Sequence, residues 1–477
     1  MKKILRFLTQ RVVLTALLIL IQALLLFGII WKLNNYFIYF YAFSVLLSLL
    51  LTLRIINNKS NPAFKIAWLI PILLFPVLGG LVYLVFGSDR TGKYIRNKMG
   101  RIEKEMQDGI SKANERSGIE KMPPDVVNQS HYISNSAHCP PYKNTTVEYL
   151  PMGEVKFERM VQELKKAKRY IFMEYFIIQE GTMWNTILDV LEEKAKEGVD
   201  VRVIYDDMGC ILTLPTGYEK TLREKGIQCQ IFNPFIPILS SHFNTRDHRK
   251  IGVIDGNVGF TGGINLADEY INGYEKHGHW KDTAILLKGE AVFSLTTMFL
   301  SMWDYLIKKE GEDYAAYYPD SWDENAQGIV QPFADNPLDD EAVGETVYLN
   351  LINKAKRYVY ITTPYLILSN EMVTAMNTAA KSGVDVRIIT PHVPDKWYVH
   401  AVSRSYYEML VEAGVKIYEY TPGFVHAKTF VVDDEYAVVG TINLDYRSLY
   451  LHFECGVCLY GGGSVLDVKR DFLETIA

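Results

Sequence analysis

A chain that carries one short motif twice, in register, has to bring two equivalent half-sites out of its fold, and residues 248–266 recur here as residues 426–444. Eight positions coincide: His248/His426, Lys250/Lys428, Val253/Val431, Asp255/Asp433, Gly262/Gly440, Ile264/Ile442, Asn265/Asn443 and Leu266/Leu444. Each copy reads as a β-hairpin. In the first, 250–255 is strand-like, Asp255-Gly256-Asn257 supplies turn chemistry and 258–261 runs back. Residues two apart on a strand face the same way, so His248 with Lys250, and His426 with Lys428, put one imidazole and one ammonium on a common surface. Asp255 lies beyond Lys250 by roughly 16 Å of extended strand at about 3.3 Å per residue. It therefore reads as a turn residue out of reach of whatever the lysine holds, and so does Asp433. Asn265 and Asn443 follow the return strand after small residues, where the chain can curl back toward the His-Lys end.

Two His-Lys-Asn trios suit one phosphate: lysine and asparagine offer donors to phosphoryl oxygens, and two imidazoles can flank a single phosphorus. A phosphodiester is exchanged without metal if one imidazole attacks phosphorus and the other protonates the departing alkoxide. Each imidazole needs a partner on its second nitrogen to fix its tautomer. Asp282 in HWKDT and Glu454 in HFECG are available downstream of the two copies. Glu174, inside the apolar strand FMEYF, must find a donor, with Arg246 and Arg249 both candidates. His277-x-His279 has no cysteine or acidic cluster to complete a metal site.

The doubled signature H-x-K-x-x-x-x-D followed by G-G/S/T-x-N resembles that of the phospholipase D superfamily. FMEYFI at 172–177, NPFIPIL at 233–239 and NTRDHRKIGVIDG at 244–256 are similar in particular to bacterial cardiolipin synthases, a likeness that covers essentially the whole chain. It implies an α/β fold of two phospholipase D-like repeats forming a pseudo-two-fold catalytic unit. It further implies that His248 forms a phosphohistidine while His426 serves as acid and then base, with Lys250, Lys428, Asn265 and Asn443 on the phosphoryl oxygens. Because the signature includes Asp255 and Asp433, the resemblance places both in the catalytic set, against the turn reading. It pairs the carboxylates across the halves, Glu454 with His248 and Asp282 with His426. The implied reaction passes the phosphatidyl group of one phosphatidylglycerol to a second, releasing glycerol and giving cardiolipin, with no cofactor or metal. Water as acceptor would make the chain a hydrolase, another alcohol would make it a different phosphatidyltransferase, and a non-catalytic lipid-binding scaffold is the reading of another class.

Charge supports a membrane setting. Residues 1–104 hold 14 Lys/Arg against two Asp/Glu, a net of +12, which leaves −17 for the rest of a 477-residue chain whose total is −5. So acidic a globular part is a poor partner for nucleic acid. Five cysteines without a framework spacing read as buried and reduced, in keeping with a cytoplasmic catalytic part. Oligomeric state is left open.

In chain order, a basic segment (1–11) precedes apolar runs over 12–31 and 37–53 that are long enough to cross a bilayer. A third run, 64–86, is broken by Pro71, Pro76, Gly79 and Gly80. Placing all the positive clusters on the cytoplasmic side requires that run to turn back as a re-entrant or tilted helical hairpin. Residues 1–88 thus read as a multi-pass anchor in a bacterial plasma membrane. Within 89–145, residues 90–107 read as a basic amphipathic helix lying on the membrane and 117–143 as a loop-like approach. The repeats span 146–307 and 341–477 around an acidic linker, 308–340, with strands alternating with helices in a mostly parallel sheet. The apolar run Phe235, Ile236, Pro237, Ile238, Leu239, present only in the first repeat, reads as a lip for acyl chains. The chain ends inside a helical pattern where the family commonly continues with a basic amphipathic segment, as a truncated record would.

Overall fold

The computed structural model describes residues 11–32, 37–58, 62–87, 90–113, 124–235, 244–309, 311–339 and 341–477. It forms two compact units, one built on Met1–Tyr94 and the other on Ile95–Pro234 with Asn244–Ala477. The basic start of the chain and, apart from Phe235, the apolar lip lie outside the described residues.

In the first unit, helices Arg11–Lys32 and Phe37–Asn57 are followed by Pro62–Leu74 and by Pro76–Val82, which runs on as a π-turn, Tyr83–Gly87. The break at Phe75 is sharp. Gly79 sits so close to Pro71 that a Cβ there would lie 2.1 Å from the Pro71 carbonyl oxygen. Trp68 and Tyr83 meet edge to face at 5.3 Å, whereas a continuous helix would separate them by about 22 Å. The expected helical hairpin is therefore formed, with Ile72 and Tyr83 packed on Leu51 and Ile55 of the preceding helix. Leu24, Leu25, Phe27, Trp31, Leu49, Leu50 and Leu53 are exposed. Among the described residues no helix is long and apolar enough to cross a membrane.

Among the described residues the second unit holds seventeen strands: β1 Thr145–Leu150, β2 Tyr170–Tyr175, β3 Asp200–Asp206, β4 Gln228–Phe232, β5 Arg246–Asp247, β6 Lys250–Ile254, β7 Val258–Gly262, β8 His279–Lys281, β9 Ala284–Gly289, β10 Ile329–Asp335, β11 Tyr358–Thr362, β12 Asp385–Pro391, β13 Lys416–Tyr420, β14 Gly423–Val425, β15 Thr429–Val432, β16 Tyr436–Gly440 and β17 His452–Tyr460. Fourteen of them build two runs of the same plan, β1-β9-β7-β6-β2-β3-β4 and β10-β17-β16-β15-β11-β12-β13, while β5 joins β17 and β8 pairs with β14. Along those two runs β2-β3-β4 and β11-β12-β13 are the parallel parts, so the sheets are mixed and not mostly parallel. The motif hairpins and their return strands add the antiparallel half.

Three expectations change. The helix over 90–107 is present as Arg90–Ala113, but its apolar side, Met99, Met106 and Ile110, is buried in the protein core and is unavailable to a bilayer. The approach read as loop contains the helix Pro124–Ser136, whose Val126 and Ile133 are buried two turns apart on one helical face. Part of the expected linker is strand β10, pairing with β17 as β1 pairs with β9, so the second sheet begins near residue 329. Helix Val292–Ile307 is buried on nearly every side, in keeping with a segment covered by both sheets.

Candidate active site

Each motif hairpin turns through two left-handed residues, Asp255 (φ 53°) with Gly256 (φ 74°) and Asp433 (φ 54°) with Asp434 (φ 64°), the backbone that tight hairpins require. The Asp255 carboxylate accepts backbone N–H bonds from Lys168 (2.8 Å), Arg169 (2.6 Å) and Tyr170 (2.9 Å). Asp433 does the same for Lys356 (2.6 Å), Arg357 (2.8 Å) and Tyr358 (2.9 Å). Both aspartates tie the hairpin to the start of the neighbouring strand, at the end of β6 and β15 remote from the histidines. Their inclusion in the catalytic set is corrected accordingly.

At the other end of the hairpins the two halves exchange short strands. β5 pairs with β17 and the His248 N–H donates to the Phe453 carbonyl at 2.9 Å; β8 pairs with β14 and the His426 N–H donates to the Lys281 carbonyl at 2.7 Å. This interlocking delivers each imidazole to the other half's carboxylate. His248 Nδ1 meets both Glu454 oxygens, at 2.8 and 2.9 Å, and His426 Nδ1 meets Asp282 Oδ2 at 2.6 Å. Lys250 and Lys428 bend back to donate to the carbonyls of His248 and His426 at 2.5 Å, and Lys428 Nζ also stands 2.9 Å from His426 Nδ1.

The two carboxylates are fully buried but differently held. Glu454 also accepts from Ser448 Oγ (2.5 Å) and from Thr441 Oγ1. Burial opposes its ionisation, yet His248, first by charge and then by hydrogen bond, keeps it well below the carboxylate range. Asp282 has the Thr283 N–H at 2.7 Å beside His426. Burial pushes it up to about 7, against the pull of Lys428, the Thr283 N–H, Lys250 and Lys156. Burial likewise lowers Lys428 to about 7 and Lys250 to about 8, and each lysine feels both Asp282 and Glu454. The half-sites thus form one electrostatic centre. Both imidazoles are pushed down by burial, His426 further by Lys428 and Lys250.

Asn265 uses its amide oxygen on the Ile177 N–H (3.0 Å) and an amide N–H on the Tyr270 hydroxyl (2.7 Å), whereas the buried Asn443 oxygen makes no hydrogen bond. Of the two candidate partners for Glu174, Arg249 forms the ion pair, at 2.6 Å, and it also reaches Asp247 at 3.2 Å; Arg246 pairs with Asp206 instead. His279 bonds the Tyr420 hydroxyl, and the ring of His277 lies near Trp280 and Phe424. Among the described residues, the cluster tight enough to hold an ion is His248, His452 and Glu454, in which Glu454 is already occupied by His248, Thr441 and Ser448.

Sequence reasoning missed Thr441, Ser448 and Lys156. Thr441 was legible in principle, as the variable position of the second G-T-I-N. Lys156 is fully buried on helix Gly153–Leu164, beside the Tyr175 hydroxyl (3.2 Å) and the Ile264 carbonyl (3.5 Å), and lowered by burial to about 7. Nothing in its sequence neighbourhood marks it.

Two histidines held crosswise by carboxylates over paired buried lysines define a phospholipase D-like centre. The sequence family described as "Cardiolipin synthase, PLD-like domain" matches residues 160–303 and 348–476, and "Phospholipase_D-nuclease N-terminal" matches 46–88. The chain is 38% identical to a cardiolipin synthase of Geobacillus kaustophilus, over 91% of this chain and 87% of that one. It is 33% identical to one of Listeria monocytogenes, over 86% of each. A crystal structure of a phosphatidylserine synthase from Haemophilus influenzae superposes with a TM-score of 0.56 at 17% identity, covering 73% of this chain and 90% of that one, a likeness of fold. The chain belongs to the cardiolipin synthase family of phospholipase D-like proteins.

Proposed function

We propose that this enzyme makes cardiolipin by moving the phosphatidyl group of one phosphatidylglycerol onto another. The observation that carries the reading is the crosswise pairing of His248 with Glu454 and His426 with Asp282 around lysines that sense both carboxylates. Donating its Nδ1 proton to Glu454 leaves His248 Nε2 a free lone pair aimed outward, and this atom attacks phosphorus. The bond to the glycerol oxygen breaks as His426 delivers a proton to it, so glycerol leaves neutral and a phosphohistidine remains. His426, now a base, takes the proton from a glycerol hydroxyl of the second phosphatidylglycerol. That oxygen displaces His248 and yields cardiolipin. Lys250 and Lys428 offer N–H donors to the phosphoryl oxygens, whose negative charge offsets the burial that otherwise denies His426 its proton. A multi-pass N-terminal anchor suits this substrate: the first unit exposes a wide apolar surface that water would not tolerate, and its hairpin returns the chain to the side on which it entered.

The test is incubation of the purified protein with phosphatidylglycerol alone in vesicles, followed by thin-layer chromatography. Cardiolipin with free glycerol supports the reading. Phosphatidic acid alone makes the enzyme a hydrolase, and no turnover refutes catalysis. Labelled phosphatidylglycerol quenched in base should leave the label on wild type and none on His248→Ala.

A further inference from the structure

We propose that two exposed faces flanking the catalytic histidines seat on a lipid bilayer, so that the catalytic unit itself, and not the N-terminal anchor alone, docks on the membrane. The faces follow equivalent strands. After β12 comes helix Trp397–Ser405, of which Ser403 alone is buried, its hydroxyl accepting the Leu366 N–H at 3.1 Å. Trp397 is 77% exposed and Tyr398 55%. After β3 comes the short turn of helix Asp207–Cys210, where Met208 is exposed and Leu212, just beyond, is 82% exposed.

Both faces are fastened to the site. The segment leading to Trp397 bonds β14 through the Val393 N–H and the Gly423 carbonyl at 3.3 Å, three residues before His426. Asp395 anchors it further by accepting from the Tyr365 hydroxyl at 2.6 Å. On the other side Gly209 lies against the Phe176 carbonyl, where a Cβ would stand 2.0 Å away, and the Phe176 ring meets His248 edge-on at 5.1 Å. The pseudo-two-fold that sets one histidine against the other thus also sets Trp397 and Tyr398 opposite Met208 and Leu212.

The chemistry points to lipid as the occupant. Tryptophan and tyrosine are the side chains that favour a membrane–water interface. The nearby cations are already paired, Lys396 with Asp395 at 3.2 Å and Arg404 with Glu419 at 3.3 Å, so the face is apolar and aromatic, and attachment should resist salt. A protein partner seated here would cover both imidazoles. A bilayer brings the phosphodiester to them while the acyl chains stay in the lipid. In that last step the argument rests on the reading of the substrate as a phospholipid.

The full-length protein, reconstituted in vesicles containing phosphatidylglycerol and lipids brominated near the glycerol end of the chain, provides the test. The Trp397 signal, taken as wild type minus Trp397→Phe, should be quenched, and quenching should survive 1 M salt, where the Debye length is about 3 Å. The double variant Trp397→Asp with Leu212→Asp should lose about tenfold or more in rate on bilayer phosphatidylglycerol, the scale of two apolar side chains withdrawn from an interface. It should act within about twofold of wild type on monomeric dihexanoyl phosphatidylglycerol. An unquenched Trp397, or an equal fall on both substrates, overturns the proposal. So does conversion of a dimer to a monomer by the double variant in sedimentation, since the face would then belong to a second copy. A wild type inactive on dihexanoyl phosphatidylglycerol and bilayer substrate alike would refute the catalytic reading instead, and the quenching result would still decide the docking.

Discussion

Replacing Glu454 by glutamine isolates what a single charge does for the attacking histidine. The carboxylate accepts at both oxygens, from His248 Nδ1 at 2.8 and 2.9 Å, from Ser448 Oγ at 2.5 Å and from Thr441 Oγ1. A carboxamide keeps the shape but converts one of those oxygens into a donor. Wherever its NH2 faces the ring, it donates to Nδ1 and drives the ring proton onto Nε2, the atom that must attack. Removing the charge weakens the remaining bond by about 1.5 kcal/mol, roughly tenfold in rate. The wrong tautomer adds to this; the equivalent change in a serine protease triad lowers kcat by about 10⁴. The expected fall in kcat for Glu454→Gln is therefore about 10³ to 10⁴. KM should move less than about threefold, because Glu454 lies fully buried behind the imidazole and touches no substrate. Cardiolipin formation in vesicles reads the rate, with thermal unfolding as the control for folding. A fall smaller than tenfold in a folded variant would refute the claim that Glu454 sets the tautomer of His248.

Asp433→Ala should remove three backbone acceptor contacts and lower stability by about 2–4 kcal/mol, while the folded fraction keeps near-normal kcat; a loss of turnover without loss of stability would restore Asp433 to the catalytic set. Gly263→Ala should disable the site by displacement, since its Cβ would stand 2.1 Å from Asp282 Oδ1, and the rate should fall by about 10² or more with KM nearly unchanged. The profile of kcat/KM against pH should be narrow and centred near neutrality, its acid limb set by Asp282 (about 7) and its alkaline limb by Lys428 (about 7); Lys428→Arg, which stays charged, should move the alkaline limb upward toward the value of Lys250, about 8. Asp282 is raised above its unfolded value, so the native state binds its proton more tightly, and the stability this confers is present at pH 4 and lost as pH rises through about 7. Asp282→Asn should accordingly gain on wild type by a few kcal/mol in denaturant unfolding between pH 4 and pH 8, while losing activity.

The doubled motif disclosed the two hairpins, the His-Lys pairs on a shared face and the carboxylates because strand periodicity and repetition are local properties of the chain. The turn role of Asp255 and Asp433 was legible too, from five residues of strand length, and yielded only to the resemblance. What stayed hidden depends on partners distant in sequence. Whether the apolar side of 90–107 meets lipid or protein cannot be read from amphipathicity, and here Met99, Met106 and Ile110 found the core. Strand β10 was concealed by Pro332 and by the acidic segment before it, features tolerated because β10 is the edge strand of its sheet. The choice between Arg246 and Arg249 as partner of Glu174 was open for the same reason: it is settled by Asp206, distant in sequence, which claims Arg246 and leaves Arg249 to Glu174.

The two halves share one plan, so their differences carry the division of labour, and the sharpest difference is one residue wide. The second copy of the motif has Thr441 where the first has Gly263. Thr441 and Ser448 donate to Glu454, and His248, first by charge and then by hydrogen bond, holds that carboxylate ionised. Gly263 offers Asp282 no hydroxyl and instead lets the carboxylate press against bare backbone, where burial raises it to about 7. An imidazole backed by a fixed negative charge keeps its tautomer and its lone pair, which suits attack on phosphorus. One backed by a carboxyl that titrates near neutrality, with Lys428 at 2.9 Å from the same ring nitrogen, can take up a proton once a phosphoryl group offsets the burial and the lysine charges that hold it neutral, which suits a group that gives a proton in one half-reaction and takes one in the next. On this argument Gly263→Ser, whose Cβ meets Asp282 as that of the alanine variant does, should lose rate likewise, but its added hydroxyl beside the carboxyl should lower the acid limb of the pH profile of the activity that remains. An acid limb that stays in place in that residual activity would mean that the asymmetry of the carboxylates does not govern the roles of the histidines.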